Sequence, residues 1–309
     1  MRDCIAFISH VATAPVLRVF ERLRRETPAD LDVRFILSSD DDTAPDQALD
    51  GRLDQINRAD LFNLGYPGKS RVTDWEMAGN LDLVFLAFAR RHPDYDRIWF
   101  IEYDVHWEGR WNTLFERFRS SNADVLATTI LRIAGAPHKL HALSYPPLIL
   151  PAGPEWHEAH LLKAFLPICR LSRAALDALH RIYRAGFGGH YEIMVPSAAA
   201  LAGLCIEDIG GNGPFVRSEN RNRFYFAQSA TSSHSPGSFV FRPAPKVLRR
   251  PNTLWHPVKP QDVPLWHPLR ITGNPLKSLL EWAKPFLWQV VTCLWFATRW
   301  RPYDAEASR

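Results

Sequence analysis

Short apolar runs alternate with amphipathic stretches along the first half of the chain. Cys4 to Ser9 is apolar at almost every position and too short for a helix, which predicts a first buried strand. Val16 to Glu26 places Val16, Val19, Phe20 and Leu23 on one face and predicts a helix. Val33 to Leu37 predicts a second strand, ended by Ser38-Ser39-Asp40-Asp41-Asp42. Strand, helix and strand in such short order predict a parallel sheet and an α/β fold class. Leu61 to Leu64 is expected as a third short strand, followed by a polar loop from Gly65 to Val72 that carries Lys69 and Arg71. Asn80 to Arg91 is expected as a helix, with Leu81, Val84, Phe85 and Phe88 on one side. Ile98 to Ile101 follows as a strand, Trp111 to Phe118 as a helix and Val125 to Ile130 as a strand.

The second half is patterned differently. Pro146 to Pro154 is a proline-rich crossing, and Leu166 to Arg170 predicts a strand. Ser172 is the expected N-cap of a helix running through Tyr183. A glycine-rich stretch from Gly186 leads to Pro196, then to a helix through Leu201 that Gly203 ends. Pro243 to Pro275 holds eight prolines and is expected to be an extended wrapping segment. Leu279 to Trp300 predicts a separate hydrophobic helix.

Composition narrows the class. The 309 residues are 46% hydrophobic, enough for a substantial core. Net charge is +4 and the basic residues form no arm or stripe, which argues against a nucleic-acid partner. Cys4, Cys169, Cys205 and Cys293 make no metal-ligand spacing and read as small buried hydrophobes in a reducing, cytoplasmic compartment. Ile5 to Ile8 belongs to a strand rather than a signal peptide.

The chemistry concentrates between Tyr95 and Gly109. Glu102 and Asp104 follow the Ile98 strand at once, and ligands of open α/β sheets bind beyond the carboxyl ends of strands. Crowding two carboxylates there is costly unless a cation or hydrogen bonds compensate. A hard divalent ion, Mn2+ or Mg2+, holding a diphosphate is the expected occupant. Asp104 is the better direct ligand, and Glu102 binds through water or contacts a ribose. His256 is a candidate third ligand, with a packed loop residue as its alternative, and Lys259 is a candidate point charge for a phosphate oxygen. Glu192 is the candidate general base, with stabilisation of the following helix as the alternative. Asp208, with its neighbour Glu207, competes for that role at another strand end.

Three pieces of sequence resemble GT-A glycosyltransferases. Asp-Arg-Ile-Trp-Phe-Ile-Glu-Tyr-Asp-Val, ending at Val105, resembles the acidic metal motif of that fold, with Glu-Tyr-Asp in place of Asp-x-Asp. Leu166-Pro-Ile-Cys-Arg-Leu-Ser-Arg, with the later Gly189-His-Tyr-Glu-Ile-Met-Val-Pro-Ser, is similar to the acceptor-side region. Asn252-Thr-Leu-Trp-His-Pro-Val-Lys resembles the late segment whose His completes the metal or diphosphate site. The resemblance implies a mostly parallel central sheet with flanking helices. It implies a catalytic domain over 1–270, with a nucleotide-binding half at 1–135 and an acceptor half at 136–270, and a tail at 271–309. It implies transfer, with inversion, of a sugar from a nucleotide-diphosphate-sugar donor to a glycan or lipid-linked acceptor. In such a fold Ser9, His10 and Asp40 would line the base and ribose pocket, and Lys69 and Arg71 would contact the diphosphate. A nucleotidyltransferase is an alternative, disfavoured by the lack of a glycine-rich basic loop after the first strand. A non-catalytic membrane-bound scaffold is another.

The tail adds a setting. Pro285 to Thr298 carries no charge, and Trp282, Trp288, Trp295 and Trp300 stud the helix between flanking Lys and Arg. It is shorter than the ~20 residues that span a bilayer. The expectation is peripheral contact with the inner face of a membrane through 279–300, with packing on its own domain or in a homodimer as alternatives.

Overall fold

β1 (Asp3–Ser9) is buried at every position, as a strand with neighbours on both edges and helices on both faces must be. The computed structural model describes residues 2–40, 49, 51–69, 77–133, 148–151, 160–226, 238–239 and 251–260. Arg71, Cys293, most of Pro243 to Pro275 and the expected helix at 279–300 lie outside the described residues. α1 (Ala14–Glu26) leads from β1 to β2 (Asp32–Leu37), and β3 (Leu53–Gln55) follows. α2 (Arg58–Phe62) and α3 (Met77–Arg91) precede β4 (Arg97–Glu102). Next come β5 (His106–Trp107), α4 (Trp111–Phe118), β6 (Val125–Arg132) and β7 (Leu162–Ser172). α5 (Arg173–Arg184), α6 (Tyr191–Leu201), β8 (Ile206–Asp208) and β9 (Leu254–Trp255) complete the order.

Seven strands form one sheet in the order β3-β2-β1-β4-β7-β6-β8, and β5 pairs β9 in a small ribbon. In the large sheet only β7 runs against its neighbours. The expected α/β architecture, a mostly parallel sheet between flanking helices, is therefore present. β7 comes from the second half of the chain yet lies between β4 and β6 of the first, so the two halves share one sheet. Pro167 sits in β7 just past Ile168, the last residue in register with β4, and the ladder with β6 shifts register in the same region. That is where a strand can spare an N–H.

Alternation along β4 divides the core. Ile98 and Phe100 face a cluster built with α3, α5 and α6, where Phe85 stacks on Phe100 at 4.2 Å between ring centroids. Trp99 and Ile101 face the other cluster, where Phe7, Phe20 and Phe35 pack together and Phe115 of α4 meets Trp99 edge-on.

Several boundaries differ from expectation. Leu61 to Leu64 is not a strand. Asn57 accepts from the Asp60 backbone, Asp60 answers with a bond from the Asn57 N–H, and this capping box starts α2. The third strand is Leu53–Gln55, a run too short and polar to stand out. α6 begins at Tyr191 and carries Pro196 inside it, where proline gives up one intrahelical bond. Cys4 and Cys169 are buried as expected, whereas Cys205 is exposed. Among the described residues no helix is long and apolar enough to cross a membrane.

The loop before α3 meets the α5–α6 turn backbone to backbone. A Cβ on Gly68 would lie 2.1 Å from the carbonyl oxygen of Phe187. Gly68→Ala is therefore expected to lower stability by about 1–3 kcal/mol in urea unfolding, the usual cost of overpacking. An unchanged midpoint would show that the two segments separate freely.

Candidate active site

The end of β4 builds the site. Tyr103 donates its N–H to the Ile8 carbonyl at 2.9 Å, and Val105 closes a turn by donating to the Glu102 carbonyl at 3.0 Å. The segment after residue 250 is laced onto this turn. Asn252 donates to the Glu108 carbonyl at 2.7 Å, Glu108 to the Thr253 carbonyl at 2.9 Å, and Val258 to the Asp104 carbonyl at 2.7 Å. Through these bonds the chain delivers His256 and Lys259 to the acidic pair, about 150 residues later in sequence.

Asp104 is 2% exposed. Lys259 Nζ lies 2.6 Å from its Oδ2, donates to the Tyr103 hydroxyl at 2.7 Å and sits 4.6 Å above the Tyr103 ring. His256 Nε2 approaches Asp104 Oδ1 at 3.5 Å, beyond a normal hydrogen bond. Asp104 Oδ1 is buried and accepts no hydrogen bond from the described residues. Phe165 and Phe239 hold the His256 ring, at 5.2 and 5.4 Å between centroids. One ligand atom each from Glu102, Asp104 and His256 lies within 4.8 Å of the others. Opposite ligands of a divalent ion bound at about 2.0–2.6 Å are separated by about 4–5 Å. Two carboxylates and an imidazole, with Asp104 Oδ1 buried and free of hydrogen bonds from the described residues, thus fit a hard cation.

The two carboxyls are driven apart. Burial works to raise Asp104, but His256 and Lys259 outweigh it and hold the group well below the usual carboxylate range. Burial and the neighbouring Asp104 charge push Glu102 up to about 7, against the opposing pull of His256 and Lys259. Burial would lower Lys259, but its contact with Asp104 more than reverses this.

Glu192 joins the same electrostatic neighbourhood. It is 5% exposed in the first turn of α6, and its N–H donates to Nδ1 of the N-cap His190 at 3.3 Å. Its charge contributes to raising Glu102 and favours the charged form of Lys163, which burial otherwise lowers. The same position lets the α6 N-terminus stabilise the carboxylate, so the helix-dipole role also fits. Lys163 lies ahead of Leu166, where the sequence pattern starts the strand, and so is not among the expected site residues. The alternation Leu162-Lys163-Ala164 before it was the available signal. Tyr103, the middle residue of Glu-Tyr-Asp, lies between Lys259 and His10 and has no expected role in the sequence pattern.

The other expected residues separate. His10 sets its ring edge-on to Tyr103 at 5.2 Å, and burial and then Lys259 lower its pKa. Ser9 turns its hydroxyl onto the backbone of Val11, donating at 2.6 Å. Asp40 is exposed and accepts from the Arg58 N–H at 2.8 Å. Lys69 does not join the site. It is buried beside Asp82, with its donors occupied, because the loop that carries it packs inward against α5 and α6. Asp208 is fully buried, with Oδ1 accepting from Tyr225 at 2.6 Å and Gly210 at 3.0 Å, and Oδ2 from Ile130 at 2.9 Å. These bonds tie β8 to β6 beside Thr129, whose φ is 52°. Glu207 is held by Ser121 at 2.8 Å and Arg217 at 3.0 Å.

No protein-family model matches the chain, and no curated protein matches it. Solved structures with partial similarity include the galactosyltransferase LgtC in complex with donor and acceptor sugar analogues, at 13% identity over 68% of this chain and 76% of that one, with a TM-score of 0.38. The mannosyltransferase Ktr4p from S. cerevisiae aligns at 11% identity over 67% of this chain and 68% of that one, with a TM-score of 0.36. Mouse xyloside xylosyltransferase 1 aligns at 12% identity over 65% and 81%, with a TM-score of 0.32. At such scores the reading of this chain rests on its own residues.

Burial pushes the Asp208 carboxyl up to about 7, despite its three donors. An unfolded Asp titrates near 3.9. The folded state therefore keeps a proton that the unfolded state releases, and this contribution to stability declines as pH rises from about 4 to about 7. The difference in urea-unfolding free energy between the native protein and Asp208→Asn is expected to fall over that window. A difference independent of pH would contradict it.

Proposed function

We propose that the chain is a metal-assisted, inverting glycosyltransferase that uses a nucleotide-diphosphate-sugar donor. The observation that carries the reading is the cluster of Glu102, Asp104 and His256, with one ligand atom of each within 4.8 Å of the others, around a buried Asp104 Oδ1 that accepts no hydrogen bond from the described residues. The sequence resemblance to GT-A enzymes supports it. Those three residues would hold a divalent cation, which supplies charge neutralisation for a departing diphosphate. Lys259 stands beside them as a second cation and reaches a phosphate oxygen as its contact with Asp104 loosens. His10 and Tyr103 form the adjoining wall toward the nucleoside. Glu192 accepts the proton of an acceptor hydroxyl as that oxygen attacks the anomeric carbon. The bond from that carbon to the diphosphate oxygen breaks, and the electron pair leaves with the diphosphate. Asp208 and Glu207 are structural carboxylates in this scheme. The acceptor class is a glycan or lipid-linked hydroxyl. A place at the inner face of a membrane, or a homodimer, rests on the sequence of 279–300 alone.

Release of nucleoside diphosphate from a panel of nucleotide sugars tests the reading. Asp104→Asn is expected to cut turnover by about 10²–10³-fold while the protein stays folded, the usual loss when one preorganised electrostatic group is removed. Near-native turnover in a folded Asp104→Asn protein would refute it. Glu192→Gln should lower kcat and leave donor affinity unchanged, since a base acts only once attack begins. Loss of donor binding would move Glu192 to the donor side.

A further inference from the structure

We infer that Lys69, through the buried network it forms with Asp82, Asn80 and Tyr183, is a positioning residue for the α6 N-terminus. The inference rests on the reading of Glu192 as the base. Lys69 Nζ lies 2.9 Å from Asp82 Oδ1 and 2.8 Å from Oδ2, 3.3 Å from Asn80 Oδ1, and 2.9 Å from the carbonyl oxygen of Gly189. The side chains of Lys69 and Asp82 are 3% and 0% exposed. Tyr183 donates its hydroxyl to Asp82, and Lys69 sits 4.8 Å above the Tyr183 ring. Asn80 departs from helical geometry inside α3, with φ −131° and ψ 23°, and its amide oxygen meets Lys69.

The place where the network ends gives it meaning. Gly189 immediately precedes His190, the N-cap of α6, and Glu192 is in the first turn. Gly189 has φ 146°, a backbone conformation that only glycine adopts without strain. A Cβ on the preceding Gly188 would lie 2.4 Å from the Gly68 carbonyl oxygen, so the two backbones are in contact. The turn is thus held by shape on one side and by an ammonium group on its carbonyl. A buried ion pair gives little net stability, because desolvation consumes most of its attraction. Fixed geometry at Gly189 is what an apolar pair of the same volume would not supply.

Lys69→Met alone leaves Asp82 charged and unpaired, and loss of folding is expected there. The full-length chain carrying Lys69→Met with Asp82→Asn removes both charges and keeps a partner for the Tyr183 hydroxyl. This paired variant is expected to unfold cooperatively, yet to exchange the amide hydrogens of Ile193 and Met194, both bonded to the His190 carbonyl, faster than the native protein. Its kcat should fall by about 10²-fold, the scale of a 1 Å misplacement, with donor KM unchanged. Adding Glu192→Gln to it should cost nothing further. Unchanged amide exchange, unchanged kcat, additive losses, or failure of the paired variant to fold would each overturn the inference and leave the network as core. If Glu192→Gln by itself leaves turnover intact, the functional reading has failed instead. Amide exchange then still decides whether Lys69 holds the turn.

Discussion

Keeping Asp104 ionised inside the protein is the constraint around which the site is arranged. Removing a carboxylate from water costs several kcal/mol even after relaxation, and only closely placed opposite charge offsets that. Lys259 supplies it at 2.6 Å and His256 approaches from the other oxygen. Both lie on a segment of chain that must return from beyond residue 250. The β5–β9 ribbon and the bond from Val258 to the Asp104 carbonyl bring it back. Among the described residues no hydrogen bond reaches Oδ1, which His256 approaches only at 3.5 Å. A buried carboxylate oxygen with Glu102 and His256 beside it is suited to attract a further cation.

Splitting the two carboxyls follows from the same geometry. Glu102 lacks the direct contacts that lower Asp104 and feels its negative neighbour, so it rises toward 7 while Asp104 falls. Burial and the neighbouring charges thus favour the neutral form of Glu102, while His256 and Lys259 favour the charged form of Asp104. Such divergence marks sites where charge is handled rather than stored. β4 can hold this arrangement because it is central, covered on both faces and paired on both edges.

Much of this was visible in the chain. The apolar run Ile98 to Ile101 with Glu102 and Asp104 at its end specified a buried strand and an acidic turn, because periodicity and burial are local properties. His256 and Lys259 were named from the resemblance of the Asn252 to Lys259 segment, but their distance from Asp104 depends on the return of the chain. Lys69, expected from the resemblance to contact a diphosphate, is instead enclosed by Asp82 and Gly189, and nothing nearby in sequence reveals those partners. Leu61 to Leu64 misled for another reason, since a short apolar run fits strand or helix and the capping pair Asn57 and Asp60 decided it. Lys163 was hidden because it lies on β7, whose outer half follows Pro146 to Pro154 and extends beyond the end of β4.

The central claim is that the acidic turn binds a diphosphate together with a divalent cation. Isothermal titration of the full-length protein with UDP and GDP, in manganese and in chelator, tests it most directly. The account predicts that at least one nucleoside diphosphate binds in manganese, that chelator weakens the binding at least about tenfold, a difference of about 1.4 kcal/mol, and that Asp104→Asn abolishes the manganese dependence. Binding of equal strength with and without manganese, or no binding of either nucleotide, would contradict it.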